Sequence, residues 1–166
     1  MASELKVDKI FNAGGDQDSG INLATNDTIK FDIATSTKAT MASTGIVTIV
    51  GEGGTNTTNL QQGLAKTWVN FNGTGTIAAR DSFNVSGLVD NGTGDYTINF
   101  SVSMSNANYS PSGTTSVVND GGSTPRCAIT ECATVAAHQI RTIVTYDSNT
   151  KLDSAIVSNQ IFGDLA

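Results

Sequence analysis

The sequence predicts an all-β protein in which an extended, intertwined N-terminal β segment precedes an antiparallel β-sandwich. Gly, Ser, Thr and Asn make up 71 of the 166 residues, and only 14% of the residues are charged. This composition disfavours helices and suits short strands joined by turns. Several short segments also alternate apolar and polar side chains with the period of a strand, and clusters of turn residues separate them.

Residues 1–50 contain four strand patterns that carry few large apolar side chains. The segments 5–10, 21–23 and 29–33 alternate, and 46–50 is a run of mostly β-branched residues. Each segment offers only two or three large apolar groups, which is too few to offset the chain entropy of an independent core. We therefore expect this part of the chain to bury its apolar face against copies of itself around a symmetry axis.

Residues 51–65 are predicted to form a linker followed by a short trimerising turn. The segment 51–59 is rich in glycine and polar residues and has no apolar side chain. Leu60 and Leu64 then follow with a spacing of four, which puts both on one face of a helical turn. Three chains could meet at that face.

Residues 66–166 have the strand pattern of a β-sandwich, with turns at short intervals. Predicted strands lie at 68–71, 82–86, 96–104, 140–146 and 155–162. The longest alternation, 96–104, has apolar residues at every even position and polar residues between them. Asn72-Gly73 and the segment 90–95 are strong turn signals. The segment 108–124 has no such pattern and is predicted to be a surface loop.

The charge distribution argues against binding to nucleic acids or anionic membranes. The net charge is −6, and the nine basic residues are scattered singly rather than grouped into a patch. No run of 18 apolar residues occurs, so the sequence predicts no transmembrane helix. The first residues also lack the apolar segment of a secretory signal.

The sequence has few residues that bind metals, and we predict no metal and no cofactor. Cys127 and Cys132 are two free thiols or the two ends of a local disulfide. With His138 they fall short of four zinc ligands unless several chains combine. His138 is either an ordinary surface or half-buried strand residue or, in a trimer, one of three copies that meet on the axis around a metal or an anion.

No motif for phosphate binding or for a hydrolase nucleophile is present, and we predict that the chain is not an enzyme. Glycan cleavage would need a pair of carboxylates, for which Asp81, Asp90 and Asp95 are the best placed. Asp90 and Asp95, however, bracket a turn whose backbone requirements explain both residues.

Candidate binding residues are aromatic or lie in the predicted loop. Trp68 is either a platform for stacking sugars or a core anchor, and the large area that an indole buries favours the core. Tyr109 and Tyr146 are better candidates for exposed contacts, because tyrosine provides contact area at a low cost in entropy. Tyr109 also stands at the start of the polar loop. The candidate receptor-contact residues are Tyr109, Ser110, Ser112 and Thr114.

Three stretches resemble tail-fibre-like virion proteins of marine and freshwater bacteriophages. Residues 3–10, SELKVDKI, resemble the opening of many such proteins. Residues 65–85, AKTWVNFNGTGTIAARDSFNV, and 90–100, DNGTGDYTINF, are similar to a C-terminal domain of the same phage proteins. The ending QIFGD at 160–164 also resembles the end of that domain.

This resemblance implies a short, homotrimeric tail fibre that is made in the bacterial cytoplasm and located in the virion tail. The N-terminal part would attach to tail or baseplate proteins through Lys6, Val7, Asp8, Lys9 and Ile10. The sandwich would face the host and support adsorption to a surface glycan or protein. The alternatives are a purely structural baseplate or decoration protein without a receptor, and a glycan depolymerase.

Overall fold

A computed structural model describes residues 7–11, 14, 19–25, 27–51, 54–116, 126–132, 134–144 and 150–166. The chain divides into two compact units, Met1–Leu64 and Ala65–Ala166. All paired strands are antiparallel, and no α-helix occurs in the described ranges. The predicted all-β, antiparallel class is thus confirmed. Within these ranges, no helix has the length and apolar character needed to cross a membrane.

The N-terminal unit is a six-stranded meander in which each strand pairs with the next one along the chain. Its strands are β1 (Lys9–Phe11), β2 (Gly20–Asn22), β3 (Thr28–Ile33), β4 (Ser36–Ala42), β5 (Val47–Val50) and β6 (Thr57–Asn59). A 3-10 turn, Leu60–Gly63, follows where a helical turn was predicted, but it ends before Leu64, whose backbone is extended. The side chain of Asn59 caps this turn by accepting a hydrogen bond from the Gln61 amide at 2.9 Å.

The expectation of a linker throughout 51–59 is wrong at its C-terminal end. Residues Thr57–Asn59 form β6, which pairs with β5 along the edge of the sheet. Backbone hydrogen bonds alone can add a strand to a sheet edge, so β6 needs no apolar side chain for its position.

One face of this sheet is apolar across five strands. Directly paired residues of antiparallel strands point to the same side, so the register defines each face. One row of paired residues consists of Ile10, Ile21, Phe31, Ala39 and Ile49. A neighbouring row on the same face consists of Ile29, Met41 and Val47. The opposite face carries the polar row Lys9, Asn22, Lys30, Thr40 and Thr48.

The N-terminal unit has no buried core in a single copy. None of its described residues is buried, and Ile10, Phe31 and Met41 remain 49%, 43% and 44% exposed. On β3 the apolar residues are more exposed than the polar residues that alternate with them. The apolar face is therefore uncovered.

The C-terminal unit is a sandwich of two four-stranded sheets. Its strands are β7 (Thr67–Asn72), β8 (Ala78–Phe83), β9 (Val85–Gly92), β10 (Asp95–Phe100), β11 (Ser110–Ser116), β12 (Arg126–Cys132), β13 (Ala137–Val144) and β14 (Ile156–Phe162). The first sheet has the order β11-β14-β7-β8 and is called the β7 sheet below. The second has the order β12-β13-β10-β9 and is called the β10 sheet.

The core of the sandwich comes from alternate residues of both sheets. The β7 sheet contributes Val69, Phe71, Val157 and Ile161, and the β10 sheet contributes Tyr96, Ile98, Phe100 and Ile140. The rings of Phe71 and Tyr96 meet edge to face with their centroids 5.2 Å apart. The predicted alternation is confirmed as far as Phe100, where β10 ends; Val102 lies beyond the strand and is 49% exposed.

The predicted strand at 82–86 is in fact a junction between the two sheets. Asn84 adopts a positive φ of 58°, so β8 ends before it in one sheet and β9 begins after it in the other. Its Nδ2 donates to the carbonyls of Lys66 and Val102 at 3.1 and 3.0 Å and to Thr67 Oγ1 at 3.1 Å. Its Oδ1 accepts from the Val102 amide at 2.7 Å.

The predicted loop at 108–124 is partly wrong. Residues Ser110–Ser116 form β11, the edge strand of the β7 sheet, and pair with β14 over their whole length. Pro111 is tolerated there because an edge strand has unpaired positions along its outer side. Residues 117–125 lie outside the described residues.

Replacement of Asn84 by alanine should destabilise the sandwich by about 2–3 kcal/mol, because several hydrogen bonds disappear and alanine disfavours positive φ. Asn84→Gly, which tolerates that backbone conformation, should lose less stability than Asn84→Ala. Urea unfolding of the full chain, followed by tryptophan fluorescence, measures both changes. An Asn84→Ala protein as stable as the parent would contradict the assigned role.

Candidate functional site

The outer face of the β7 sheet bears two transverse rows of side chains. The first row, in register order, is Ser112, Gln160, Trp68 and Phe83. The second row is Thr114, Ser158, Asn70 and Asp81. The rows lie on one side of the sheet because the residues alternating with them, such as Val69 and Val157, point into the core.

A groove of about 360 Å³ lies over these rows. Its lining consists of Trp68, Asn70, Ser112, Thr114, Ser158 and Gln160, together with Val69 and Asn159 of the same sheet, on β7 and β14. We call it the Trp68 groove. All of its lining residues are uncharged, and their polar groups are hydroxyls and amides, which both donate and accept hydrogen bonds.

The favoured interpretation of Trp68 as a core anchor is wrong. Thr67, Val69 and Phe71 are buried and point inward, so the period of the strand turns Trp68 outward. Its side chain is 38% exposed. The core of the sandwich does not include the indole, and the alternative interpretation, a stacking platform, stays a prediction.

Asn70 is held in a fixed orientation at the centre of the face. Its Nδ2 donates to Ser158 Oγ at 2.7 Å, and its Oδ1 accepts from Arg80 Nη1 at 3.3 Å. Arg80 is itself fixed by a hydrogen bond from Nη2 to the carbonyl of Ala155 at 2.5 Å. Polar groups that are oriented in advance lose less entropy when a ligand binds.

The four candidate receptor-contact residues divide into two groups. Ser112 and Thr114 are exposed and line the groove, and Ser110 is exposed on the same strand. Tyr109 is only 5% exposed, so its interpretation as an exposed contact is wrong. Its hydroxyl donates to the carbonyls of Thr134 and Ala137, both at 3.1 Å. Tyr146 lies outside the described residues.

Among the outward-facing lining residues, sequence reasoning missed three: Asn70, Ser158 and Gln160. The alternation of inward and outward side chains along β7 and β14 contained the information needed to find them. Once Val69 and Val157 are assigned to the core, the residues that alternate with them must face outward.

The proposed attachment segment lies at the edge of the N-terminal sheet. Lys9 and Ile10 belong to β1, and Val7 and Asp8 precede it; all four side chains are exposed. The Lys9 ammonium lies 5.7 Å from the centroid of the Phe11 ring. Lys6 lies outside the described residues.

The three candidate carboxylates are divided between the two sheets. Asp81 is on the outer face of the β7 sheet, whereas Asp90 and Asp95 belong to the β10 sheet. Asp90 accepts a hydrogen bond from the Gly92 amide at 2.9 Å, which is the turn role predicted for it. Asp95 is 7% exposed and is occupied by ion pairs.

The charged cluster at Asp95 joins three elements. Its Oδ2 lies 2.5 Å from Lys151 Nζ and 3.2 Å from Arg141 Nε, and its Oδ1 accepts from Gln139 at 2.6 Å. Burial by itself would raise the pKa of Asp95, but the hydrogen bonds from Lys151, Gln139 and Asn91 outweigh it. The pKa is therefore lowered from 3.8 to about 2.

His138 lies inside the sandwich of a single copy. Its side chain is fully buried, and its ring meets that of Tyr109 edge to face at 5.9 Å. Both interpretations made from the sequence are therefore wrong: the residue is neither surface nor half-buried, and a ring enclosed in one copy cannot meet its counterparts on a three-fold axis. Among the described residues, no three His, Cys, Asp or Glu side chains cluster as metal ligands.

Cys127 is a half-buried free thiol on β12. Cys132 ends the same strand, five residues later. An extended strand separates two such Cα atoms by about 16 Å. A disulfide requires less than about 7 Å, so the two cysteines are not bridged to each other within one chain.

The ion pairs of Asp95 should make the sandwich sensitive to acid. A carboxyl with a lowered folded pKa stabilises the fold above its unfolded pKa, and this contribution disappears as the pH falls from about 4 to about 2. Asp95→Asn should lower the free energy of unfolding by about 1–2 kcal/mol at neutral pH. The free energy of unfolding of this variant should also depend less on pH between about 4 and about 2. Lys151→Gln should move the acid transition to higher pH. Urea unfolding at several pH values measures these changes. An equal dependence of the free energy of unfolding on pH in the parent and in Asp95→Asn would contradict the assigned role of the ion pairs.

No protein-family model matches this chain, and neither a curated protein nor a solved structure matches it.

Proposed function

We propose that this chain is the subunit of a short, trimeric bacteriophage tail fibre that helps the virion adsorb to its bacterial host. The resemblance of 3–10, 65–85 and 90–100 to tail-fibre-like proteins supports the virion assignment. The division into a sheet without a core and a sandwich with one supports separate roles for assembly and recognition. In this proposal the chain acts by binding, without catalysis or a cofactor.

The observation that carries the proposal is the uncovered apolar face of the N-terminal sheet. Ile10, Phe31 and Met41 belong to the two apolar rows on this face and are each more than two-fifths exposed. Monomeric soluble proteins rarely leave so contiguous an apolar surface in water. Three copies that turn these faces toward a common axis would form the core that one copy lacks.

The proposed trimer gives the sandwich its role. Each sandwich has its own core and presents one Trp68 groove, so a fibre would carry three grooves. Open grooves bind weakly one at a time, but linked sites raise the effective concentration for one another. The edge strand β1 would contact the tail or the baseplate through Lys9, whose side chain lies on the face opposite that of Ile10.

Light scattering should give the purified chain a mass three times its 17.1 kDa. Phe31→Asp places a charge in the centre of the apolar face and should dissociate the trimer, because an unpaired charge cannot be buried there. Thr40→Asp is the matched control, since Thr40 lies on the opposite, polar face beside Lys30. A monomeric parent, or equal dissociation by both variants, would contradict the trimer.

Gold-labelled antibodies against the chain should mark the distal tail of virions that carry it, and the labelled protein should adsorb to intact cells of its host. Labelling confined to the capsid or collar would instead support a structural decoration protein. Release of new reducing ends from host polysaccharide, abolished by Asp81→Asn or Asp95→Asn, would support a depolymerase and overturn the proposed binding role.

A further inference from the structure

We infer that the Trp68 groove binds a neutral polysaccharide chain, with a sugar ring stacked on Trp68 and the sugar hydroxyls bound by the surrounding polar side chains. This inference rests on the proposed function in one respect: adsorption to a host makes a surface glycan the class of ligand considered. The face of the sheet supplies aromatic side chains and uncharged polar side chains, and both suit such a ligand.

Two aromatic side chains lie side by side on this face: Trp68, which lines the groove, and Phe83, its pair on β8, which lies outside the lining. Their side chains are 38% and 51% exposed. Two neighbouring aromatic residues on an otherwise polar sheet face lose hydrophobic stabilisation unless a ligand covers them. The C–H face of a pyranose ring is apolar, and its partial positive charge matches the negative face of an indole.

The polar part of the site surrounds these rings. Ser112, Thr114 and Ser158 supply hydroxyls, and Asn70 and Gln160 supply amides. Every one of these groups both donates and accepts hydrogen bonds, as each sugar hydroxyl does. The fixed pair of Asn70 and Ser158 provides two such groups in an orientation that exists before a ligand binds.

The dimensions of the face favour a chain of sugars over a single ring. Each row crosses four strands, which spans about 14 Å at the ordinary strand spacing, and the two rows lie about 7 Å apart. A linear oligosaccharide laid along the first row would contact Trp68 near its middle and the hydroxyls of β11 at one end.

The charges favour a neutral polymer over an anionic one. The lining residues are uncharged, and the net charge of the chain is −6, which repels polyanions. Arg80, the cation beside the groove, donates hydrogen bonds to Asn70 and to the Ala155 carbonyl and has the carboxylate of Asp81 next to it in the sequence. An acidic polysaccharide would therefore find no cationic side chain among the residues that line the site.

The chain contains a single tryptophan, so its fluorescence reports directly on the groove. Titration of the full-length protein with neutral oligosaccharide fragments of dextran, mannan and galactan should give a saturable shift of the emission for at least one of them. Fragments of polygalacturonate, the anionic probe, should give none at physiological salt.

Variants then locate the site. Asn70→Ala keeps the fluorophore and should weaken binding about tenfold, because truncating one central contact commonly has an effect of that size. Ile129→Ala is the matched control, since Ile129 is 41% exposed on the other sheet, and it should bind like the parent. Trp68→Ala should abolish binding and Trp68→Phe should retain part of it, as measured by calorimetry. Thermal melting shows that each variant is folded.

Three outcomes would overturn the inference: no shift with any neutral fragment, a shift with the anionic fragment alone, or equal weakening by Asn70→Ala and Ile129→Ala. Its failure is distinguishable from failure of the proposed function. A Trp68→Ala protein that still adsorbs to host cells refutes the groove while adsorption stands. Glycan binding at Trp68 by a chain that antibodies place only on the capsid supports the groove and refutes the tail fibre.

Discussion

Exposure of an apolar β-sheet face to water is unfavourable, and the two units of this chain differ in whether a single copy covers such a face. In the C-terminal unit the inner faces of two sheets cover each other, and residues such as Phe71 and Tyr96 become fully buried. In the N-terminal unit the described residues of the same copy place no second layer over the apolar row through Phe31. The same alternation thus produces an independent core in one unit and a surface suited to association in the other.

Polar groups fix the ends of the sandwich. The Tyr96 hydroxyl donates to the carbonyl of Gly73 at 2.8 Å and to Asp153 at 3.0 Å, and the Gly94 amide donates to the same carboxylate. Burial and the neighbouring Asp153 raise the pKa of Tyr96 well above its ordinary value, so the phenol remains a donor. A Cβ at Gly73 would lie 2.6 Å from the Tyr96 oxygen, so the turn requires glycine for close approach. These contacts join the end of β7 to the β10 sheet.

The sequence predicted the strands whose inner residues are large and apolar, and it failed where they are small. Strand β10 and strand β14 were predicted because Ile98 and Ile161 alternate with polar residues. Strand β11 was missed because its inward position is Gly113, where a Cβ would lie only 2.8 Å from Cδ1 of Ile140. The opposite sheet fills that space, so β11 carries no apolar signal.

The errors at the candidate site have the same physical origin. Residue type suggested that Trp68 was buried and Tyr109 exposed, whereas the phase of each strand and the packing of its neighbours decide both positions. Ser112 and Thr114 were correctly expected at the surface, although they belong to a strand and not to a loop. Local pattern therefore determines which face a residue occupies only after the partner strands are known.

Trp68 is exposed on a strand whose inward residues form part of the core, and that core does not include the indole. In the proposed site, the exposed indole would contact a bound ligand. A groove that lies on the open face of a sheet encloses little of any ligand, so a single copy would hold a polysaccharide only weakly. In the proposed trimer, repetition of the groove on linked copies would compensate for that weakness. In the proposed fibre, the uncovered N-terminal face that brings copies together is thus the feature that would make the shallow C-terminal site effective.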